Sequence, residues 1–163
     1  MSSQRPHYII DGYNLLHAIP SLKKMLTRDA IGAREQLIAL IARQTMKRKF
    51  RCTIVFDGAP PSDSHPPAQQ SPVHVVYSIG ITADAYIRGM IEKSKQRTNL
   101  VVVSSDHEIL NHAHACSCTT HTSKYISAWL FENEDAGEEK EQNMLSKNEV
   151  EAWLKIFDKK GEE

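Results

Sequence analysis

The tightest constraint on this chain is a set of short apolar runs that hardly alternate with polar residues. HYIID at 7–11, RCTIVFD at 51–57, VHVVYS at 73–78 and LVVVSSD at 100–106 are rich in β-branched residues. A strand with one wet face alternates apolar and polar positions, so near-continuous runs are buried on both faces. Such strands need helices above and below them. CTTH at 118–121 reads as a fifth, weaker strand.

The intervening segments supply those helices. Residues 29–49 carry Ile31, Leu37, Ile38, Ile41 and Thr45 at helical spacing, and 83–96 carry Ile87, Met90 and Ile91. Ser105 and Glu108 form a capping box at the head of a helix over 105–115, and Ile126, Trp129 and Leu130 mark another over 122–131. Strand alternating with helix predicts an α/β fold, a three-layer parallel sheet with helices on both faces. The first two strands each stop at Asp-Gly, which reads as a turn.

At 163 residues the chain is one domain plus a tail. Its 40% hydrophobic and 25% charged residues are those of a soluble protein, and no apolar run approaches the roughly 20 residues of a membrane span. The N-terminus has no secretory signal pattern and the three Cys do not make a disulfide framework, so the expected address is cytoplasmic, with no membrane partner.

The net charge of zero hides a division. Residues 1–131 hold 15 Lys and Arg against 9 Asp and Glu, while 132–163 hold 5 against 11, so +6 faces −6. A basic body points to a polyanionic partner. Residues 58–72 contain five of the seven prolines and read as a loop beside Asp57. We divide the chain into a domain at 1–131, an acidic linker at 132–145 and a C-terminal amphipathic helix at 146–163. That helix opens on a capping box, Ser146 and Glu149, and carries Val150, Trp153, Leu154 and Phe157 as one stripe. The stripe docks on its own domain, on a second copy in a homo-oligomer, or on a partner protein.

The strand ends at the carboxyl edge of a parallel sheet form its ligand-binding rim. Asp11 and Asp57 close two strands, Asp106 follows the fourth, and Asp84 opens a helix. Asp84 heads the stripe Ile87 and Ile91, and Asp106 heads Ile109, Leu110 and Ala113, so both carboxylates begin faces that turn toward the sheet. Any one Asp is explained as a turn or cap residue. Four on one rim repel unless a cation intervenes. Hard oxygen donors without His or Cys suit Mg²⁺ or Mn²⁺, which would acidify a water and neutralise charge on a phosphodiester. Asn14, three residues after Asp11, either reaches a phosphate oxygen or caps a short helix.

The segments IIDGYN at 9–14, IVFDG at 54–58, TADAYI at 82–87 and VSSD at 103–106 together resemble the NYN-domain branch of the PIN-like nuclease superfamily, and within it the YacP-like bacterial proteins. The resemblance spans residues 7–131. It implies a PIN-like α/β fold and metal-dependent RNA cleavage, with Asp11, Asp57, Asp84 and Asp106 matching the family's acidic positions and Asn14 its polar residue after the first acid. Many relatives carry a further acid where this chain has Ala85.

His112, His114, Cys116, Cys118 and His121 hold zinc donors, but their spacing fits no familiar site. There is no phosphate-binding GxxxxGK[ST] loop and no second acid two residues after Asp11 for aspartyl-phosphate chemistry. Arg43, Lys47, Arg48, Lys49 and Arg51 form a basic string, and Arg88 and Lys124 add cations for RNA phosphates. The reading is a metal-dependent endoribonuclease, with Asp11, Asp84, Asp106 and Asn14 carrying the chemistry and all four Asp the metal. Its alternative is a non-catalytic RNA-binding or ribosome-associated module with a degenerate nuclease site.

Overall fold

The computed structural model describes residues 4–60 and 73–135, with side chains as far as Phe131. Five strands form: β1 (His7–Asp11), β2 (Arg51–Asp57), β3 (Val73–Ser78), β4 (Leu100–Val103) and β5 (Thr119–His121). They make one sheet of order β3-β2-β1-β4-β5, parallel at every pairing. Burial explains the order. Ile9 and Ile10 of β1, residues 52–56 of β2 and all of β4 are buried, as strands covered on both faces must be, whereas the edge strands β3 and β5 are half wet.

The helices are α1 (Gly12–Ala18), α2 (Pro20–Arg28), α3 (Ala30–Arg48), α4 (Ala83–Lys93), α5 (His107–Ala115) and α6 (Ser123–Asp135), with a 3₁₀ turn at Arg97–Asn99. Ile87 and Ile91 of α4 and Ile109 and Ala113 of α5 pack over Ile9, Val55 and Val102 to form the core under one face. Helices α1 and α3 cover β2 on the other, and α2 lies against α3. The three-layer α/β architecture expected from the unalternated runs is the one that forms.

Local chemistry departs from the sequence reading at several points. Asp11-Gly12 is no turn, because Gly12 is buried and opens α1 directly. A Cβ there would sit 2.5 Å from Cδ1 and Cε1 of Phe56, so glycine lets the helix cross close to β2. Asp57-Gly58 does turn, with Gly58 at φ +97°. Helix α2, unforeseen, begins with Pro20 at its first position, where a missing N–H costs nothing. The capping box on Ser105 does not form; Asp106 caps α5 by accepting from the Glu108 N–H. On α3 the buried face is Ala33, Arg34, Leu37, Ile41, Gln44 and Thr45, which leaves Ile31 and Ile38 only half-buried at its margin. Helix α4 stops at Lys93, three residues short of the expected 96, and Arg97 braces its end by donating to the carbonyls of Ile91 and Glu92.

A compact unit takes the chain as far as Ser127, so its boundary falls inside α6. That helix runs on through 132–135, where the acidic linker was expected to start. Most of the proline-rich loop (61–72), the rest of the linker and the amphipathic helix at 146–163 lie outside the described residues. Among the described residues no helix is long and apolar enough to cross a membrane.

Candidate metal and nucleic-acid site

The strand order places one crevice at the carboxyl edge. The chain leaves β1 toward β2 on one side and reaches β4 and β5 on the other, so the connections part between β1 and β4, where parallel sheets bind ligands. Asp11 is the last residue of β1, at the middle of the sheet. It pairs in register with Val55, so Asp57 lies two residues further along β2. Ile10 pairs with Val103, which puts the Ser104–Asp106 corner on the other side of Asp11.

Asp11 is 7% exposed. Burial pushes its carboxyl up to about 6; hydrogen bonds from the backbone and side chain of Asn14 pull it back, and the carboxylates of Asp106 and Asp57 push it up again. The central acid therefore sits between two others, in a place where negative charge is already dear.

Asn14 is a brace across the crevice. While its N–H groups serve Asp11, its Oδ1 accepts from the Ser105 N–H at 2.8 Å, from the Ser105 hydroxyl and from Ser104 Oγ at 3.4 Å. Its carbonyl is thus committed to the β4–α5 corner. Ser104, fully buried, also receives the Asp106 N–H at 3.0 Å. These two serines fix the corner, and the VSSD string was the signal for them.

The other acids are held by neighbours. Asp57 lies 3.5 Å from Ser78 Oγ, with which it pairs across β2 and β3. Asp106 is exposed and engaged as the cap of α5. Asp84, in the first turn of α4, faces Arg88 Nε at 3.4 Å, and Arg88 reaches Glu108 at 3.7 Å. Asp84 Oδ1 is buried without a hydrogen-bond partner. Among the described residues no three His, Cys, Asp or Glu side chains close into a ready-made ligand set. The donor chemistry nonetheless fits Mg²⁺, which keeps several waters and takes one or two carboxylates. Asp11 between Asp57 and Asp106 offers carboxylates of that kind, and the orphaned Asp84 oxygen is another open acceptor. Ala85 is exposed on the far side of α4's first turn, its N–H held by Thr82.

A polar and aromatic cluster beside Asp57 escaped the sequence reading. Arg34, buried in α3, donates to the Tyr13 hydroxyl at 2.7 Å, and Tyr13 meets Phe56 edge-on at 5.4 Å while Phe56 stacks on Tyr77 at 5.7 Å. Its signal was an arginine within the apolar face of α3, between Ala33 and Leu37.

The candidate RNA contacts do not form one track. Asn14, Arg88 and Lys124, the last at the start of α6 after β5, belong to the carboxyl edge. Lys47, Arg48 and Lys49 end α3 and Arg51 begins β2, so they lie at the amino edge, and Arg43 is a turn earlier on α3. Arg51 and Asp57 stand six positions apart on β2, roughly 20 Å at a strand's rise. No zinc site assembles from the histidines and cysteines: Cys118 is buried in the core, His121 stacks on Tyr125, and Cys116 Sγ is 3.9 Å from His112 Nε2.

The family model of the YacP-like NYN domain matches residues 8–161. Among solved structures, the crystal structure of Rae1 (YacP) from Bacillus subtilis is similar at 22% identity and a TM-score of 0.68, covering 93% of this chain and 92% of that one. A point mutant of that protein is similar at 21% identity and a TM-score of 0.65, over 79% of this chain and 77% of that one. At such identities the likeness speaks for the fold. No curated protein matches the chain.

Proposed function

This chain belongs to the YacP-like NYN domain family, whose fold is related to that of nucleases, and from that premise we propose that it is a divalent-metal-dependent endoribonuclease. The observation that carries the reading is Asp11, buried at the end of the central strand with Asp57 and Asp106 pressing on its charge. Burial, with smaller pushes from Asp106 and Asp57, holds the Asp11 carboxyl at about 6, and a bound cation relieves both. Asp11, Asp57, Asp84 and Asp106 are the ligand candidates, with Mg²⁺ or Mn²⁺ as the ion. Bound there, the ion supplies acidification of water and charge neutralisation on a phosphodiester.

The chain's own groups do the positioning. Asn14 fixes the Asp11 carboxylate and the opposite lip of the crevice together, so the two sides cannot drift apart without losing its hydrogen bonds. Lys124 is exposed at the same edge and provides positive charge for a phosphate oxygen. Arg88 provides a second once its guanidinium leaves Asp84.

The rival reading, a binding module with a degenerate site, is favoured by that same Arg88, which gives Asp84 a cation without any metal. Incubating the protein with single-stranded and structured RNAs in Mn²⁺, Mg²⁺ or EDTA, beside Asp11→Asn and Asp84→Asn, decides between them. Cleavage that requires metal and both carboxylates is expected. Metal-independent cleavage, or cleavage untouched by Asp11→Asn, removes the proposed site from the chemistry; metal binding with no turnover on any RNA selects the binding module.

A further inference from the structure

A group of exposed cations lies at the end of the sheet opposite the acids, apart from Lys124 and Arg88 at the acidic edge itself. At the amino edge Arg51, His7 and Leu100 stand side by side in register at the starts of β2, β1 and β4. Three neighbouring strands span only about 10 Å. The chain just before each start carries exposed cations: Lys47 and Lys49 before β2, Arg5 before β1, and Lys93 and Lys95 before β4. Two hydrogen bonds sew these approaches together, from the Arg51 N–H to the Pro6 carbonyl and from the Asn99 amide to the Arg5 carbonyl, both at 2.9 Å. The approaches to β1, β2 and β4 are therefore tied to one another at Pro6–Arg51 and Arg5–Asn99. Glu92, the described acid nearest to it in sequence, turns its carboxylate toward His112 at 3.7 Å. Burial lowers the His7 pKa first, and the charge of Arg51 and the neighbouring His74 lower it further.

A nuclease whose mouth is lined by carboxylates gains nothing from long-range attraction at that mouth, since RNA is repelled there until a cation is bound. We propose that the amino edge is a second, separate nucleic-acid contact, a docking face for the phosphate backbone of a folded RNA at the pole opposite the acidic crevice. The choice of polyanion rests on the RNA reading above. The geometry itself rests on the register and charge of the edge. The face grips one segment of a structured RNA while the crevice, roughly 20 Å away along β2, meets another. Affinity and cleavage thereby depend on different residues.

The test is binding in EDTA, where cleavage plays no part. A labelled RNA hairpin is titrated by anisotropy across a salt series with the full chain, with the triple variant Lys47→Glu, Arg51→Glu, Lys95→Glu, and with the charge-keeping variant Lys47→Arg, Lys95→Arg. The triple reversal is expected to weaken binding by more than about tenfold and to flatten the slope of log affinity against log salt by about three, while the charge-keeping variant binds as the parent does. Circular dichroism melts establish that the variants fold; should the triple variant melt early, Lys95→Glu alone, outside any helix or strand, is expected to lower the slope by about one. Unchanged affinity and slope in the reversal variant overturn the proposal. So does tighter binding of the parent to vesicles containing anionic phospholipid than to the hairpin, which would make the face a membrane contact. A parent that binds the hairpin through this edge yet cleaves no RNA sinks the nuclease reading and leaves the docking face standing.

Discussion

The carboxyl and amino edges of one small sheet teach different lessons about what a parallel fold does with charge. At the carboxyl edge Asp11 and Asp57 end two strands and Asp106 caps the helix after a third, and they are drawn together because every parallel strand ends at the same rim. At the amino edge the cations arrive with the ends of helices, where Lys47 and Arg48 on α3 and Lys93 on α4 also complement the helix dipoles. Topology alone thus polarises the domain. The acid pole centres on one buried carboxylate flanked by two exposed ones; the basic pole is open and additive.

The most damaging way to break the comparison is at the centre of the acid pole. Asp11→Asn is expected to lower metal-dependent RNA cleavage by at least about a hundredfold, of the order seen when a group that acts on developing charge is removed. Cleavage assays at saturating Mn²⁺ measure it, and a loss below about threefold would move the chemistry elsewhere.

Next comes the close approach that positions Asp11. Gly12→Ala pushes a methyl into the Phe56 ring and is expected to cost about 1–3 kcal/mol in urea unfolding, since a packed core resists an added carbon. An unfolding midpoint equal to the parent's would show that α1 can lift off β2 freely.

The burial of Asp11, with a lesser push from its neighbouring acids, has a pH signature. Asp11 holds its proton more tightly folded, near 6, than unfolded, at 3.8, so the folded state binds more protons between those values and stability falls as pH rises through that window. By pH 7 the loss is at most on the order of 3 kcal/mol. In EDTA, Asp11→Asn is expected to be more stable than the parent at pH 7.5, with the difference shrinking toward pH 4. Parallel pH profiles for the two proteins would refute the raised carboxyl of Asp11. Mn²⁺ is expected to restore the parent and not the variant.

A smaller effect separates Arg88 from the metal. Its pair with Asp84 is more than a third exposed on both sides, so its worth is a fraction of a kcal/mol. Arg88→Gln is expected to tighten Mn²⁺ binding about two- to fivefold by calorimetry. Weaker binding would mean that Arg88 supports the site rather than competing for it.

Much of this was legible before any coordinates. The unalternated strands and helical spacings are whole-element signals, and they predict the layered parallel sheet because burial on two faces leaves few other solutions. Asp11, Asp57 and Asp106 were placeable at one rim for the same reason. What the sequence conceals is side-chain partnership. Arg34 drew no reading of its own in α3, yet it is buried against the Tyr13 hydroxyl. Asn14 reads as either a phosphate contact or a cap, and its bond to the Ser104–Ser105 corner is invisible in the sequence. The basic string at 47–51 reads as a track for RNA phosphates, and the polarity of α3 and β2 puts it at the edge opposite the acids.

The Asn14 brace has a consequence for the life of the chain during synthesis. Its hydrogen bond to Ser105 joins residues separated by 91 positions. Contacts of that range form late, after the intervening loop entropy has been overcome. Asp11 emerges early, but the second lip of its crevice does not exist until β4 has paired with β1 and the corner after it has closed. A nascent chain or a fragment that ends before that corner has the acid without its setting, so whatever activity the crevice carries is withheld until most of the domain is made.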